Sequence, residues 1–358
     1  MLSISGVKPL EYAVLGVSRP LQRGADVLPS RRDAGPVMLK FLNSLFSLAL
    51  LCALALCAVP MLAFWGRSVH WALDLMSHFV LPSIIAACGV SILAGLLGRT
   101  WTGAGALAVA ITASLSVSGF TTPPRPSEDV QKTFKVLLFN VWYRNADAAR
   151  LVDTLRRSDA DIVVLLEAVP ELNRKLSVLG DIYPHRLACP DTDPCDILVL
   201  SRVALEGDGV RRTDDRFRSP VLSFRAQLAP CPVSLHAVHL ARPFPFTEPM
   251  SQVRQAQDVS RLVAGGNAPQ LVLGDFNAAP WSEAMRAIVV PGNLSLLSGA
   301  GGTWPSFLPR QMRIPIDHFA AGPGLRFLKR EVLPAAGSDH APVLATVGVS
   351  PTVTCPAA

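Results

Sequence analysis

Three long apolar runs crowd the first third of this 358-residue chain and constrain its fold more than any other feature. Leu45–Phe64 is uncharged and about twenty residues long, enough to cross a roughly 30 Å hydrocarbon core as a helix. A second span is predicted over Leu75–Leu97, kinked at Pro82, whose ring removes a helical hydrogen bond. The third, Trp101–Phe120, is rich in Gly, Ala, Ser and Thr, small side chains that let helices approach closely in lipid. A cleaved signal peptide fits less well, because its apolar core is usually about 7–15 residues and two more runs follow. With only short connections around Arg67 and Arg99, the pattern predicts a tight three-helix transmembrane region over residues 41–120.

Composition agrees with a membrane segment joined to a domain of ordinary make-up. Hydrophobic residues reach 50% and charged residues only 17%, outside the usual soluble range, and the surplus lies before about residue 120. Nine Lys/Arg against four Asp/Glu up to Ser127 account for most of the net charge of +6. The remainder is close to neutral, which weakens any reading as a polyanion binder. Six basic residues from Lys8 to Lys40 precede the first run, against one in each connecting loop. That asymmetry predicts a cytoplasmic N-terminus, and three crossings then place the rest of the chain on the periplasmic or extracellular side of an inner or cell membrane. Residues 1–40 read as a flexible basic tail, with Met38 a second candidate start, and 121–131 as a Pro-rich linker.

Over 132–350 the pattern changes to short apolar runs: Val136–Phe139, Ile162–Leu166, Ile197–Leu200, Val221–Phe224, Val233–Leu240, Leu271–Leu273, Ile316–Phe319 and Pro342–Val347. Amphipathic stretches at Ala146–Arg157 and Ser251–Val263 lie between them. This predicts an α/β domain with strands buried on both faces, followed by a tail at 351–358.

Polar residues of complementary kinds close or open several of these runs: Asn140, Glu167, His239, Asp275 with Asn277, Asp317, and Asp339 with His340. Open α/β sheets place their sites where strands end. Gly274 is expected to let the backbone turn, and residues two apart in extended chain share a face, so Asp275 and Asn277 can meet in one cleft. An acid beside an amide suits a hydrated divalent metal and the anionic oxygens it binds, although alone the pair reads equally well as a structural turn. The inventory holds acids, amides and imidazoles, with no Ser or Cys nucleophile and no soft-metal cluster. His236 reads as a core histidine, and His318 is left out of the site.

As a set these stretches resemble the endonuclease/exonuclease/phosphatase superfamily of metal-dependent phosphoesterases, with Gly274-Asp-Phe-Asn277 and Ser338-Asp-His340 the most specific parts. The resemblance implies a four-layer α/β/β/α sandwich, here preceded by three transmembrane helices. It implies Mg²⁺ or Mn²⁺ held by Glu167 with Asn140 beside it and Asp339 at the metal or its water shell. Asp275 would orient or deprotonate water, Asn277 would hold a phosphate oxygen, and His340, oriented by Asp317, would contact the phosphoryl oxygens. His239 would be the general acid, with Asp196 as its candidate partner. Relatives often carry Gln before the metal-binding Glu, where this chain has Leu166.

The expected activity is hydrolysis of a phosphate ester by direct water attack. Candidate substrates are a phospholipid headgroup, another small diester, or nucleic acid. Arg211–Arg218 reads as a nucleic-acid contact or a solvated loop. The bilayer is the expected partner, with no obligate protein partner. A nuclease of the same chemistry and an inactive membrane binding module are the alternatives. Cys52, Cys57 and Cys88 sit in the apolar runs, while Cys189, Cys195, Cys231 and Cys355 lie outside them. Cys189 and Cys195 bound a Pro-rich loop that a disulfide can close, in keeping with an oxidising compartment.

Overall fold

The computed structural model describes residues 34–125, 129–145, 147–190, 195–214, 218–229, 231–243, 250–264, 266, 269–351 and 353. Most of the predicted N-terminal tail, part of the linker, the tip of the Arg211–Arg218 loop and Cys355 lie outside these residues. Two compact units divide at Leu48/Ala49, so the apolar helical segments from Ala49 onward belong with the sheets that follow.

The apolar runs fold as α1 (Ala34–Gly66), α2 (Trp71–Ser77), α3 (Val80–Leu96) and α4 (Thr100–Thr121). α1 over Val37–Gly66 and all of α4 are long and apolar enough to cross a membrane. The pair α2 and α3, bent by 59°, supplies a third candidate. The expected second span is therefore broken, and the break at His78–Phe79 has a cause four residues on. The Pro82 ring lacks an N–H and clashes with the carbonyl of residue 78. α3 and α4 pack closely through small residues: the Ser91 hydroxyl donates to the Gly103 carbonyl at 2.9 Å. Large apolar side chains such as Leu56, Leu62 and Leu115 are exposed on the outside of these helices.

Twelve strands make two six-stranded sheets among the described residues. The first contains β1 (Lys132–Asn140), β2 (Ile162–Leu166), β3 (His185–Ala188), β4 (Leu198–Ser201), β11 (Leu325–Val332) and β12 (Val343–Val349), in the order β11-β12-β1-β2-β4-β3. The second contains β5 (Leu205–Arg212), β6 (Pro220–Ala226), β7 (Val233–His239), β8 (Gln270–Asp275), β9 (Ser295–Leu296) and β10 (Asp317–Ala321), in the order β5-β6-β7-β8-β10-β9. Side chains alternate along each strand, so Val136 and Leu138 face the space between the sheets while Leu137 and Phe139 face outward. Inside, they meet Leu235, Leu271, Leu273 and Phe319 from the second sheet. Outside, α5 (Ala148–Ser158) covers the first sheet with Leu151 and Leu155, assisted by α6 (Pro170–Lys175). α7 (Ser251–Ala264) and α8 (Glu283–Val289) cover the second with Val259, Met285 and Ile288. The result is the expected four-layer α/β/β/α sandwich.

Local chemistry sets the helix starts. Asp147 caps α5 by accepting from the Arg150 amide at 3.0 Å, and the Ser282 hydroxyl caps α8 at the Met285 amide, 3.2 Å away.

The apolar helices do not hang from the linker alone. The segment after β8 delivers Ala279 and Trp281 into a cluster with Phe64, Val80, Ala113 and Val117. The Trp281 indole N–H donates to the Ser77 carbonyl at 2.9 Å, and Arg67 donates to the Trp281 carbonyl at 2.8 Å. Asp74 on α2 accepts from the Glu283 amide at 3.1 Å. Trp281→Ala is expected to cost about 3–5 kcal/mol, the range for emptying a buried aromatic site. Thermal unfolding of the detergent-solubilised protein will show it as a loss on the order of 10 °C.

Candidate active site

Strand register assembles the site. In the second sheet Asp275 pairs with His239 on the parallel strand β7 and with Asp317 on the antiparallel strand β10, so the three stand in one row. In the first sheet Asn140 at the end of β1 pairs with Leu166, which places Glu167 just past the end of β2. Facing sheets bring the two rows together: the Asn140 amide donates to Glu167 Oε1 at 3.1 Å and to Asp275 Oδ2 at 3.0 Å.

Gly274 does not make the turn expected of it. It continues β8, and a Cβ there would overlap the Val238 carbonyl, so the glycine permits close approach of β7. The turn falls at Asn277, whose φ of 49° is one that asparagine tolerates. There the Asn277 amide donates to Asp275 Oδ1 at 2.8 Å, and its side-chain NH₂ donates to the Leu240 carbonyl at 2.8 Å. The acid and amide therefore meet through a side-chain-to-backbone turn, where strand alternation was expected to bring them together. Glu167 also has positive φ, 55°, and is buried, with Oε2 accepting from the Tyr143 amide at 3.1 Å. A non-glycine residue held there stores backbone strain of the kind that clusters at functional sites.

Asp275 lies between two imidazoles. Its Oδ2 is 3.8 Å from His239 Nε2 and 3.7 Å from His340 Nε2. The far nitrogen of each ring meets another carboxylate: His239 Nδ1 is 2.7 Å from Asp196 Oδ2, and His340 Nδ1 is 2.9 Å from Asp317 Oδ2. Burial alone would lower both imidazole pKa values. For His239 the Asp196 hydrogen bond and charge, with Asp275 and Glu167, overcome burial and raise it to about 9. For His340 the charges of Asp317 and Asp275 do the same, also to about 9. Burial pushes the Asp275 carboxyl up, opposed chiefly by His340. A buried carboxylate of raised basicity between two imidazoliums can accept a proton from water, and an imidazolium can return one to a leaving group.

Ser338, the first residue of the second motif, holds the first sheet to it. Its hydroxyl donates to the Asn140 carbonyl at 2.7 Å and accepts from the His340 amide at 3.0 Å. Asp339 Oδ2 accepts from the Trp304 indole at 3.3 Å. His236 is buried between the Ser223 hydroxyl at 2.9 Å and the Gln270 side-chain Oε1 at 3.0 Å, which fits a core histidine. His318 Nε2 donates to the Ala278 carbonyl at 2.8 Å, and burial lowers its pKa to about 4.

Three participants escaped sequence reading. Gln252 on α7 donates to the carbonyls of Ala241, Phe276 and Asn277 at 2.8–3.0 Å and so pins the Asp275–Asn277 turn to the chain after β7. A glutamine among the apolar positions of an amphipathic helix is the signal that could have found it. Arg242 stands 3.6 Å from Glu167 Oε1, and Trp304 covers Asp339. Their loops carry no local pattern that marks them.

The donor set suits a hard divalent cation. One buried carboxylate oxygen each of Asp317, Asp339 and Asp196 has no hydrogen-bond partner, so anionic lone pairs are left over among these acids. Asp275, Asp317 and His340 offer ligand atoms within 4.8 Å of one another. The Asp317–His340 hydrogen bond engages the two facing atoms of that group, so it reads as a carboxylate–imidazole pair orienting His340. Glu167 and Asn140 form the oxygen-rich corner beside it. The Cys189–Cys195 disulfide, with Cα atoms 5.5 Å apart, ends one residue before Asp196, and Cys231 is also disulfide-bonded.

Comparison with known proteins identifies the fold and the family. Among curated proteins, none matches the chain. An endonuclease/exonuclease/phosphatase from Bacteroides vulgatus is similar at 16% identity and TM-score 0.51 over 62% of this chain and 100% of its own. TDP2 of D. rerio, complexed with single strand DNA product, is similar at 16% identity and TM-score 0.51 over 61% of this chain and 99% of its own. At such identity the likeness establishes the fold. The model of the Endonuclease/Exonuclease/phosphatase family matches residues 137–340, from the middle of β1 to His340. The chain therefore belongs to the Endonuclease/Exonuclease/phosphatase family of divalent-metal-dependent hydrolases acting on phosphate ester bonds.

Proposed function

We propose that this protein is a membrane-anchored, Mg²⁺-dependent phosphodiesterase whose active site faces out of the cytoplasm. The observation that carries the reading is Asp275 held between two imidazoles, each backed by its own carboxylate, beside the Asn140–Glu167 corner. Glu167 and Asn140 would hold Mg²⁺, with Asp339 at its water shell; the ion, when bound, neutralises charge on the phosphoryl group. Asp275 takes the proton of the attacking water as its oxygen bonds to phosphorus. The bond to the leaving oxygen breaks, and His239 supplies that oxygen with its proton. Asn277 and the His340 imidazolium, oriented by Asp317, stabilise the phosphoryl oxygens. Arg242 adds positive charge at the mouth.

The test uses full-length protein in detergent micelles with bis-p-nitrophenyl phosphate, duplex and single-stranded DNA, RNA and phospholipid. Chelation with EDTA is expected to lower turnover at least 100-fold, and Mg²⁺ to restore it. Failure on every substrate with Mg²⁺ or Mn²⁺ would favour the inactive binding module.

Orientation rests on the basic N-terminal residues and on α1, α3 and α4 as three crossings, since α1 and α4 end at the sheets and α3 starts there. A C-terminal alkaline phosphatase fusion is expected to be active, and a silent fusion would reverse the orientation.

A further inference from the structure

A cavity of about 450 Å³ opens at the catalytic residues, within the roughly 300–1,000 Å³ typical of ligand pockets. Its composition is divided. One end is polar, with Arg242, Asn277, Asp339 and His340. The other is a wall of Leu75, Met76 and Phe79 from the α2–α3 bend, with Trp304, Ile314 and Ile316 from the segment leading into β10. Phe79 is 42% exposed and Met76 37%, so the wall is open to its surroundings. His78, at the break, also lines the cavity, and its buried Nε2 has no hydrogen-bond partner.

Both halves of the wall are attached to the spans. The bend is the domain-side start of α3, and the turn at Arg310–Met312, just before Ile314, packs against α3. An apolar slot held against membrane helices and ending at a phosphoryl-handling pole matches an amphiphile lying in the bilayer. It does not match a nucleic-acid groove, which needs a row of basic contacts to phosphates. Among the described lining residues Arg242 is the one Lys or Arg.

We infer that the substrate is a membrane-resident phospholipid. Its phosphodiester sits at Arg242, Asn277 and His340, and its acyl chain runs along Leu75, Met76 and Phe79. This rests on the phosphodiesterase reading and names the substrate class of the same site. The chemistry is unchanged: water forms the new P–O bond, Asp275 takes its proton, the ester P–O bond breaks and His239 protonates the departing oxygen. The break before Pro82 thereby has a use, because a straight second span would not lay residues 75–79 beside the site.

The test is inhibition of bis-p-nitrophenyl phosphate hydrolysis by n-alkyl phosphonates of one to twelve carbons, each below its micelle-forming concentration, with full-length protein in nanodiscs. Inhibition is expected to strengthen by up to about fourfold per methylene, the value for full burial, until the cavity is filled. Phe79→Asp and Met76→Asp should flatten that dependence. Inhibition independent of chain length in the wild type would overturn the proposal, as would an undiminished slope in both variants. A binding readout separates this outcome from failure of the catalytic reading. A bromododecyl phosphonate should quench Trp304 fluorescence, measured against Trp304→Phe, whether or not the diester is hydrolysed. No quenching would also overturn the proposal, whereas quenching without turnover would leave the lipid site standing and remove the phosphodiesterase reading.

Discussion

Asp275→Asn is expected to lower kcat by about 10²–10⁴-fold, the usual contribution of a positioned general base, with a loss of stability of about 1–3 kcal/mol because the new NH₂ faces the Asn140 NH₂ that donates to Oδ2. The asparagine keeps the size of the side chain and an oxygen for the Asn277 amide, so the turn survives. Burial already penalises the Asp275 charge, so a neutral replacement avoids that cost. The change also removes the negative charge that both imidazoles face, so His239 and His340 lose part of the support that raises their pKa values. Steady-state kinetics with saturating Mg²⁺, paired with a thermal melt, separates the two effects. Turnover within tenfold of wild type would remove Asp275 from the role of base.

His239→Ala should produce a loss that depends on the leaving group. A substrate that expels a poorly stabilised alkoxide needs a proton, so turnover should fall by about 10²–10⁴-fold. With p-nitrophenolate departing, the need is small and so is the expected loss. Equal losses on both substrates would show that His239 acts otherwise. The pH profile gives a second measure. An acid must be protonated to work, so activity holds below the His239 pKa and falls as pH rises through it, at about 9 in the metal-free site. A divalent cation beside Glu167 opposes one of the charges that raise it, so the alkaline limb of the loaded enzyme lies lower. Asp196→Asn removes the hydrogen-bonded carboxylate and should move that limb lower still, and an unmoved limb would exclude Asp196 as the partner of His239.

The Asp196–His239 pair illustrates how much of the site could be read from the chain. Asp275, Asn277, Asp339 and His340 stand in short motifs, and Asn140, Glu167 and His239 end apolar runs, so each carries a local mark. Asp196 has no such mark, and only the closure of the two sheets brings it to His239, 43 residues away. For that reason the sequence offers Asp196 only as a candidate partner, Arg242 lies in an unmarked loop, and Gln252 carries only the weak mark of a polar residue among the apolar positions of α7. Gly274 carried the right mark with the wrong cause, because crowding from β7 exists only once that strand is in place.

Strands divide in a parallel way. The eight runs read from the sequence became β1, β2, β4, β6, β7, β8, β10 and β12, all interior to their sheets. The four that were missed, β3, β5, β9 and β11, are the four sheet edges. An interior strand is covered on both faces and is mostly apolar, which leaves a short apolar run in the sequence. An edge strand such as β5, with most of its residues exposed, is kept polar and leaves none.

By itself the sequence determined the long apolar helices, the two-sided burial of the central strands and the polar residues at strand ends that form the candidate site, because each depends on side-chain chemistry over a few neighbouring positions. Tertiary structure alone decided that Trp281 ties the apolar helices to the chain after β8, and that the bend before Pro82 walls the cavity at the candidate site. Those contacts join residues some 200 positions apart, and no local pattern encodes a meeting that only the packed chain creates.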